Sequence, residues 1–105
     1  MKILAVTACP SGVAHTYMAA EALERAAKAK GIEIKVETQG SIGIENRITM
    51  EDVKDASAVI LTKDIGIKDK ERFAGKPTVN VGVSDVIKKA DQIIDKIIAH
   101  INSLK

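Results

Sequence analysis

One cysteine, Cys9, stands in this chain of 105 residues, and it opens the segment Cys9-Pro10-Ser11-Gly12-Val13-Ala14-His15-Thr16. A lone cysteine forms no internal disulfide and argues against a structural zinc site, so its chemistry is that of a thiol. The segment follows a short apolar run, Lys2-Ile3-Leu4-Ala5-Val6-Thr7, and leads into a helical pattern that starts near Val13. The free amides of a helix's first turn, together with the positive end of its dipole, favour an anion. Gly12 lets the backbone curl so that several N–H groups converge, and the hydroxyls of Ser11 and Thr16 add donors. A thiol at such a place has its thiolate favoured, with a pKa below the ~8.5 of free cysteine. No carboxylate lies between Met1 and Ala20 to oppose that. A nucleophilic thiolate in a phosphate-sized cradle suits phosphoryl transfer, whose peripheral oxygen charge a ring of amides stabilises without a metal.

His15 stands six places after Cys9. Cysteine-dependent phosphatases put an arginine there, which grips phosphate through two parallel hydrogen bonds. An imidazole makes no such fork. Hydrolysis by that route is impaired, whereas a site that holds a phosphoryl group and hands it on is less affected.

These residues need a scaffold, and the rest of the chain supplies one. The helical pattern from about Val13 to Lys30 stops at Gly31, a residue that tolerates positive φ. Ile32 to Thr38 alternates apolar and polar, as an edge strand with one wet side does. Gln39-Gly40-Ser41-Ile42-Gly43 reads either as an ordinary turn or as a border of the site. A short helix is expected after Thr49, whose hydroxyl caps it. Ala58-Val59-Ile60-Leu61 is a third strand, apolar throughout, and Pro77 to Val81 begins a fourth that alternates. A helical turn is expected around Lys70 to Phe73. Ser84 is expected to cap a last helix carrying Ile87, Ala90, Ile94, Ile97, Ile98 and Ile101 at helical spacing.

This grammar is that of an α/β three-layer sandwich around a four-stranded parallel sheet. Wholly apolar strands 1 and 3 belong in the middle and alternating strands 2 and 4 at the edges, which gives order 2-1-3-4, a flavodoxin-like, doubly wound sheet. Ligands bind such sheets at the carboxyl ends of the strands, where the connections reverse direction. That point falls between strands 1 and 3, at Cys9.

Composition narrows the functional classes. Sixteen basic against 14 acidic side chains leave a net charge of +2, and Tyr17 and Phe73 are the only aromatics, which disfavours nucleic-acid recognition. A flavin carrier is disfavoured too, since aromatic covers are lacking. With 46% hydrophobic and 29% charged residues the chain reads as one globular domain over residues 1–105. No apolar run reaches membrane-spanning length, and the opening stretch is too short for a signal peptide's core, so a cytoplasmic protein is expected. Asp64 is either a solvated loop charge or an acid near the site. The basic residues Lys63, Lys68, Lys70, Arg72 and Lys76 form either a solvated face or a steering surface.

The cysteine loop resembles that of the IIB domains of the fructose family of the bacterial sugar phosphotransferase system. There the usual loop reads Cys-Pro-Thr-Gly-Ile/Val-Ala-His-Thr, from which Cys9 to Thr16 departs only in Ser11, a hydroxyl for a hydroxyl. Ala19-Ala20-Glu21-Ala22-Leu23, Glu37-Thr38-Gln39-Gly40-Ser41 and Arg72-Phe73-Ala74-Gly75-Lys76 extend the resemblance over the chain. It implies that Cys9 takes a phosphoryl group from a phosphohistidine of a IIA partner and holds it as S-phosphocysteine. The group then passes to a fructose-like sugar carried by a membrane IIC partner, at the inner face of the cytoplasmic membrane. Pro10, Ser11, Gly12, Val13, Ala14, His15 and Thr16 would cradle the phosphate, chiefly through backbone amides. His15 would be a proton donor, a clamp or a helix-start residue. No cofactor or metal is implied, and a monomer is expected. The rival from a different class is a small cysteine-dependent phosphatase or arsenate-reductase-like enzyme using the same loop.

Overall fold

A computed structural model of the chain describes residues 2–8, 13–40 and 43–103, with the side chain of Val13 left aside. Its elements run β1 (Lys2–Ala8), α1 (Val13–Ala29), β2 (Glu33–Gly40), β3 (Gly43–Glu45), α2 (Met50–Asp55), β4 (Ala58–Thr62), β5 (Thr78–Val81) and α3 (Val83–Ser103), with a 3-10 turn at Lys70–Phe73. The strands form one sheet in the order β3-β2-β1-β4-β5. β1 pairs in parallel with β2 and β4, and β4 with β5, while β3 lies antiparallel to β2.

The expectation of a sheet of four strands, all parallel, is therefore corrected: the sheet is mixed and has five. The extra strand follows from a reversal at Gly43, whose φ of +120° suits glycine alone, and Gly43 to Glu45 returns along Gly40 to Thr38. Three residues are too few to show a period, so nothing in the pattern marked them as a strand. β3 thus covers β2 over Thr38 to Gly40, and Glu37 and Gln39 near that end are buried, while Glu33 at the start of the strand is exposed.

Side chains alternate across β1 and divide the interior in two. Ile3 and Ala5, with Val36 and Ile60, pack on α1 and α3 through Leu23, Ile94 and Ile97. Leu4 and Val6, with Val59 and Leu61, pack on Ile48, Val53, Ala56 and Phe73 from the side of α2 and the 3-10 turn. Two helices, a sheet and a thinner cover make the three layers. Ala19, Ala20 and Ala26 of α1 are buried in the cluster shared with α3.

Local chemistry explains most element ends. Gly31 closes α1 with φ +69°. Thr49 accepts from the Asp52 amide at 3.2 Å while Asp52 accepts from the Thr49 amide at 2.9 Å, a reciprocal cap on α2. The same carboxylate takes Lys35 at 2.7 Å and Lys2 at 3.0 Å, which fastens α2 to β2 and β1. Hydrogen bonds from Lys35, the Thr49 amide and Lys2 hold Asp52 far below the usual carboxylate range. Ser84 does not cap α3, contrary to expectation. The helix starts one residue earlier, where the Val83 amide donates to the Asp64 carboxylate at 2.8 Å and the Val86 amide reaches the Gly82 carbonyl. A carboxylate arriving from the loop after β4 does the work that a local serine was expected to do. Lys89 interrupts α3 with φ −131° and ψ 30°.

Candidate functional site at the carboxyl end of the sheet

β1 connects through α1 to β2 on one side, and β4 lies on its other side, so the direction of winding reverses between β1 and β4. The carboxyl end of that pair is the place where a doubly wound sheet opens a crevice. Cys9, Pro10, Ser11 and Gly12 lie outside the described residues. Their two flanks are described. Ala8 closes β1 immediately before Cys9, and Val13 opens α1 immediately after Gly12.

Both flanks are held by buried threonines. Ala8 donates its N–H to Thr62 Oγ1 at 2.9 Å, and the same hydroxyl donates to the Ala8 carbonyl at 3.1 Å. Thr7 Oγ1 donates to the carbonyl of Thr16 at 3.1 Å, which draws the start of α1 onto the end of β1. Thr7, Thr16 and Thr62 are all buried. Ala14 and His15 are exposed in the first turn of α1, and that turn carries no acidic residue. Tyr17, one residue past Thr16, donates to Glu45 at 2.6 Å and ties α1 to β3. The site residues expected from the sequence therefore divide. Thr16 goes into the interior, His15 outward to solvent, and the stretch from Cys9 to Gly12 is untouched by the description.

Beyond β4 the loop at 63–69 borders a cleft of about 430 Å³, lined among others by Thr62, Lys63, Asp64, Ile65 and Lys70. Asp64 is committed to the start of α3, so it is a capping carboxylate rather than a free acid. Ile65 is 40% exposed, an apolar side chain at the rim. Another cleft, of about 380 Å³, runs between β5 and α3, and the residues lining it include no cysteine or histidine.

The loop after β4 is tied back to β2 by a polar network that sequence patterning did not reveal. Glu37 is 0% exposed and accepts from Nη1 and Nη2 of Arg72, at 2.8 and 3.0 Å. Its remaining positions take the Ile48 amide at 2.8 Å and Gln39 Nε2 at 2.7 Å. Arg72 completes its donors on the carbonyls of Ile48, Lys68 and Asp69. Gln39 closes the ring by accepting the Lys68 amide at 2.9 Å and donating to the Lys68 carbonyl at 3.1 Å. Burial opposes the charge on Glu37, but hydrogen bonds from Arg72, Gln39 and the Ile48 amide outweigh it and hold the carboxyl below its ordinary range. Hydrogen bonding to Glu37 raises the Arg72 guanidinium in turn. The segments beginning at Glu37 and ending at Lys76, which looked like two separate motifs, are halves of this one contact. Gln39 is thus engaged in the fold rather than offered to a ligand.

Among the described residues no group of His, Cys, Asp and Glu side chains could hold a metal ion. Nor is any helix among them long and apolar enough to cross a membrane.

Comparison with known proteins adds to this geometry. The family described as "PTS system, Lactose/Cellobiose specific IIB subunit" matches residues 4–96. The chain is 73% identical over 100 residues to the PTS system fructose-like EIIB component 2 of Escherichia coli K12, covering 95% of this chain and 94% of that one. It is 50% identical over 95 residues to the PTS system fructose-specific EIIABC component of Bacillus subtilis, covering 90% of this chain but 15% of that longer protein. The solution structure of an Enzyme IIB subunit of the PTS system from Escherichia coli K12 superimposes with a TM-score of 0.91 at 44% identity, over 97% of this chain and 94% of that one. A thioredoxin-dependent arsenate reductase of Corynebacterium glutamicum shares the fold alone, with a TM-score of 0.56 at 12% identity, over 99% of this chain and 63% of that one.

Proposed function

Since the chain belongs to the IIB family of the bacterial sugar phosphotransferase system, with IIB components as its near relatives, we propose that Cys9 carries the phosphoryl group. IIB components are phosphotransferases, and the role that follows from membership is phosphoryl relay. The sulfur of Cys9 attacks phosphorus on the phosphohistidine of a IIA domain. An S–P bond forms as the N–P bond breaks, and the thiol proton ends on the donor imidazole. In the second step a sugar hydroxyl attacks the same phosphorus. The S–P bond breaks, and the hydroxyl proton returns to sulfur.

The observation that supports this reading is the double hold on Ala8, the residue before Cys9 in sequence, at the carboxyl end of β1 where the winding reverses. Pro10 to Thr16 then form the cradle, with the amides at the start of α1 facing the phosphoryl oxygens. His15, exposed in the first turn of α1, serves as a proton donor, a hydrogen-bonding clamp or only a helix-start residue. The acceptor is a fructose-like sugar held by a membrane IIC component, the class that the relatives' descriptions favour over the lactose and cellobiose of the family's. Relatives in which the matching segment is joined to C, or to A and C, components support IIA as donor and IIC as acceptor. In this reading the domain works at the inner face of the cytoplasmic membrane. The unit is residues 1–105, acting as a monomer that meets each partner in turn.

The test is intact-protein and fragment mass spectrometry after incubation with a phosphorylated IIA domain of a fructose-type system. One phosphoryl group per chain, located on Cys9, is expected. A phosphoryl group on His15 or another residue would refute the assignment.

A further inference from the structure

β1 stays paired with β2 as far as Ala8 and Gln39, but on its β4 side its carboxyl end is held by a side chain where the ladder gives out. The ladder between β1 and β4 ends at the pair Val6 and Leu61. Thr62 pairs onward with Val81 of β5, and the Lys63 amide donates to the Val81 carbonyl, so beyond Leu61 the β4 backbone serves β5. Ala8 is completely buried, and an unpaired amide or carbonyl there is disfavoured. A hydroxyl is a small group that offers a donor and lone pairs on one atom, and Thr62 uses both. Its Oγ1 receives the Ala8 N–H at 2.9 Å and gives its own proton to the Ala8 carbonyl at 3.1 Å. The residue is 2% exposed, and water does not compete for those bonds.

We propose that Thr62 is a positioning residue for Cys9: its buried hydroxyl, by holding both main-chain groups of Ala8, sets the direction in which the chain leaves β1 for the Cys9 loop. This rests on the reading of Cys9 as the phosphoryl acceptor. At the far end of the loop, Thr7 holds the Thr16 carbonyl, so one threonine fixes the strand end and another fixes the helix start against it. Between them they fix the two described ends, Ala8 and Thr16, from which the loop carrying Cys9 departs and to which it returns. Thr62 touches no reacting atom and acts through Ala8.

Thr62→Val keeps the shape and removes both functions of the hydroxyl, while Thr62→Ser keeps them. In Thr62→Val the rate of phosphoryl uptake at saturating phosphorylated IIA domain is expected to fall on the order of ten- to a hundredfold, the scale of a small misplacement of a reacting group. KM for the donor should stay near that of the wild type, because the surface is unchanged. The pH midpoint of Cys9 alkylation by iodoacetamide should move upward, and Thr62→Ser should restore both. Val53→Ala, a cavity in the layer beneath α2, is the control for lost stability alone and should change neither readout at a temperature where it is folded. A folded Thr62→Val with wild-type alkylation profile and wild-type rate would overturn the proposal.

Should Thr62→Val fail to fold, amide exchange of Ala8 in the wild type decides. Strong protection there, with a wild-type profile in Thr62→Ser, upholds the proposal; exchange at the rate of an open amide overturns it. Phosphoryl found on a residue other than Cys9 would defeat the reading of Cys9, while alkylation and Ala8 exchange would still report the hold by Thr62.

Discussion

Cys9→Ser is expected to take up phosphoryl from a phosphorylated IIA domain at least about 10⁴-fold more slowly than the wild type, the scale on which losing a nucleophile is felt. Oxygen replaces sulfur at nearly the same place, so the loss is chemical rather than architectural. A serine hydroxyl is not ionised near neutral pH, and it needs an adjacent base to act as a nucleophile. The amides at the start of α1 are donors rather than bases, and the first turn of α1 has no carboxylate, His15 being its titratable side chain. What they offer is stabilisation of a group that is already an anion, which a thiolate is and a serine is not. Intact-mass time courses on the two proteins, with melting curves to show that both are folded, measure the effect. Equal uptake by Cys9→Ser would return the cysteine to a structural role.

The second large effect is on stability. Glu37→Gln should destabilise the fold by about 3–5 kcal/mol, because it strands the Arg72 guanidinium with its side chain only 9% exposed. For a domain of this size that is a fall in Tm of at least about 12 °C, a large share of a total stability of about 5–15 kcal/mol. Arg72→Ala should be as severe, since it leaves Glu37 charged and enclosed and removes the cover of the Phe73 ring, 4.8 Å from the guanidinium. Arg72→Lys keeps a charge but not the fork, and should fall between. The sum of the single losses should exceed the loss in a double replacement by neutral, well-packed residues.

The pH dependence has a definite sign. The Glu37 carboxyl is held below its ordinary range in the fold, so its contribution is fully present above the unfolded-state pKa of about 4.3 and is lost as pH falls through the lower folded value. The gap in Tm between wild type and Glu37→Gln should therefore be widest near neutrality and narrow steadily below about pH 4. Thermal melts of the two proteins across that range measure it, and a gap that widens in acid would contradict the assignment of charge to Glu37.

Much of this architecture is visible in local pattern. The cap at Thr49, the stop at Gly31, the turn at Lys70 to Phe73 and the isoleucine stripe of α3 each depend on neighbours within a turn or two, and each was readable in advance. What escaped depends on distant partners. Glu37 alternates with Val36 as a solvated residue of an edge strand would, and only the return of β3 and the approach of Arg72 enclose it. Ser84 is a good local cap, yet Asp64 from the preceding loop takes the Val83 amide and starts α3 earlier. Asp64 was thus neither a spare acid nor an idle charge.

The site was legible in the same uneven way. The chemistry proposed for the cysteine loop rests on residue type and order, with Cys9, Gly12 and the expected start of a helix in eight residues. The threonines that hold its flanks did not stand out. Thr62 merely ends an apolar strand, where any polar residue would mark the surface, and it is instead buried on Ala8. A polar residue closing a central strand, opposite a residue next to the proposed nucleophile, is the signal to look for.

A relay differs from a hydrolase in what happens after the first step, so the lifetime of the phosphorylated protein tests the central claim most directly. The wild type would be charged by a phosphorylated IIA domain, separated from it and followed by intact mass and by inorganic phosphate release. The phosphoryl group should persist on Cys9 in buffer and leave promptly for sugar when membranes carrying a fructose-type IIC component and fructose are added. Rapid release of inorganic phosphate without any acceptor would contradict the relay and make the protein a phosphatase.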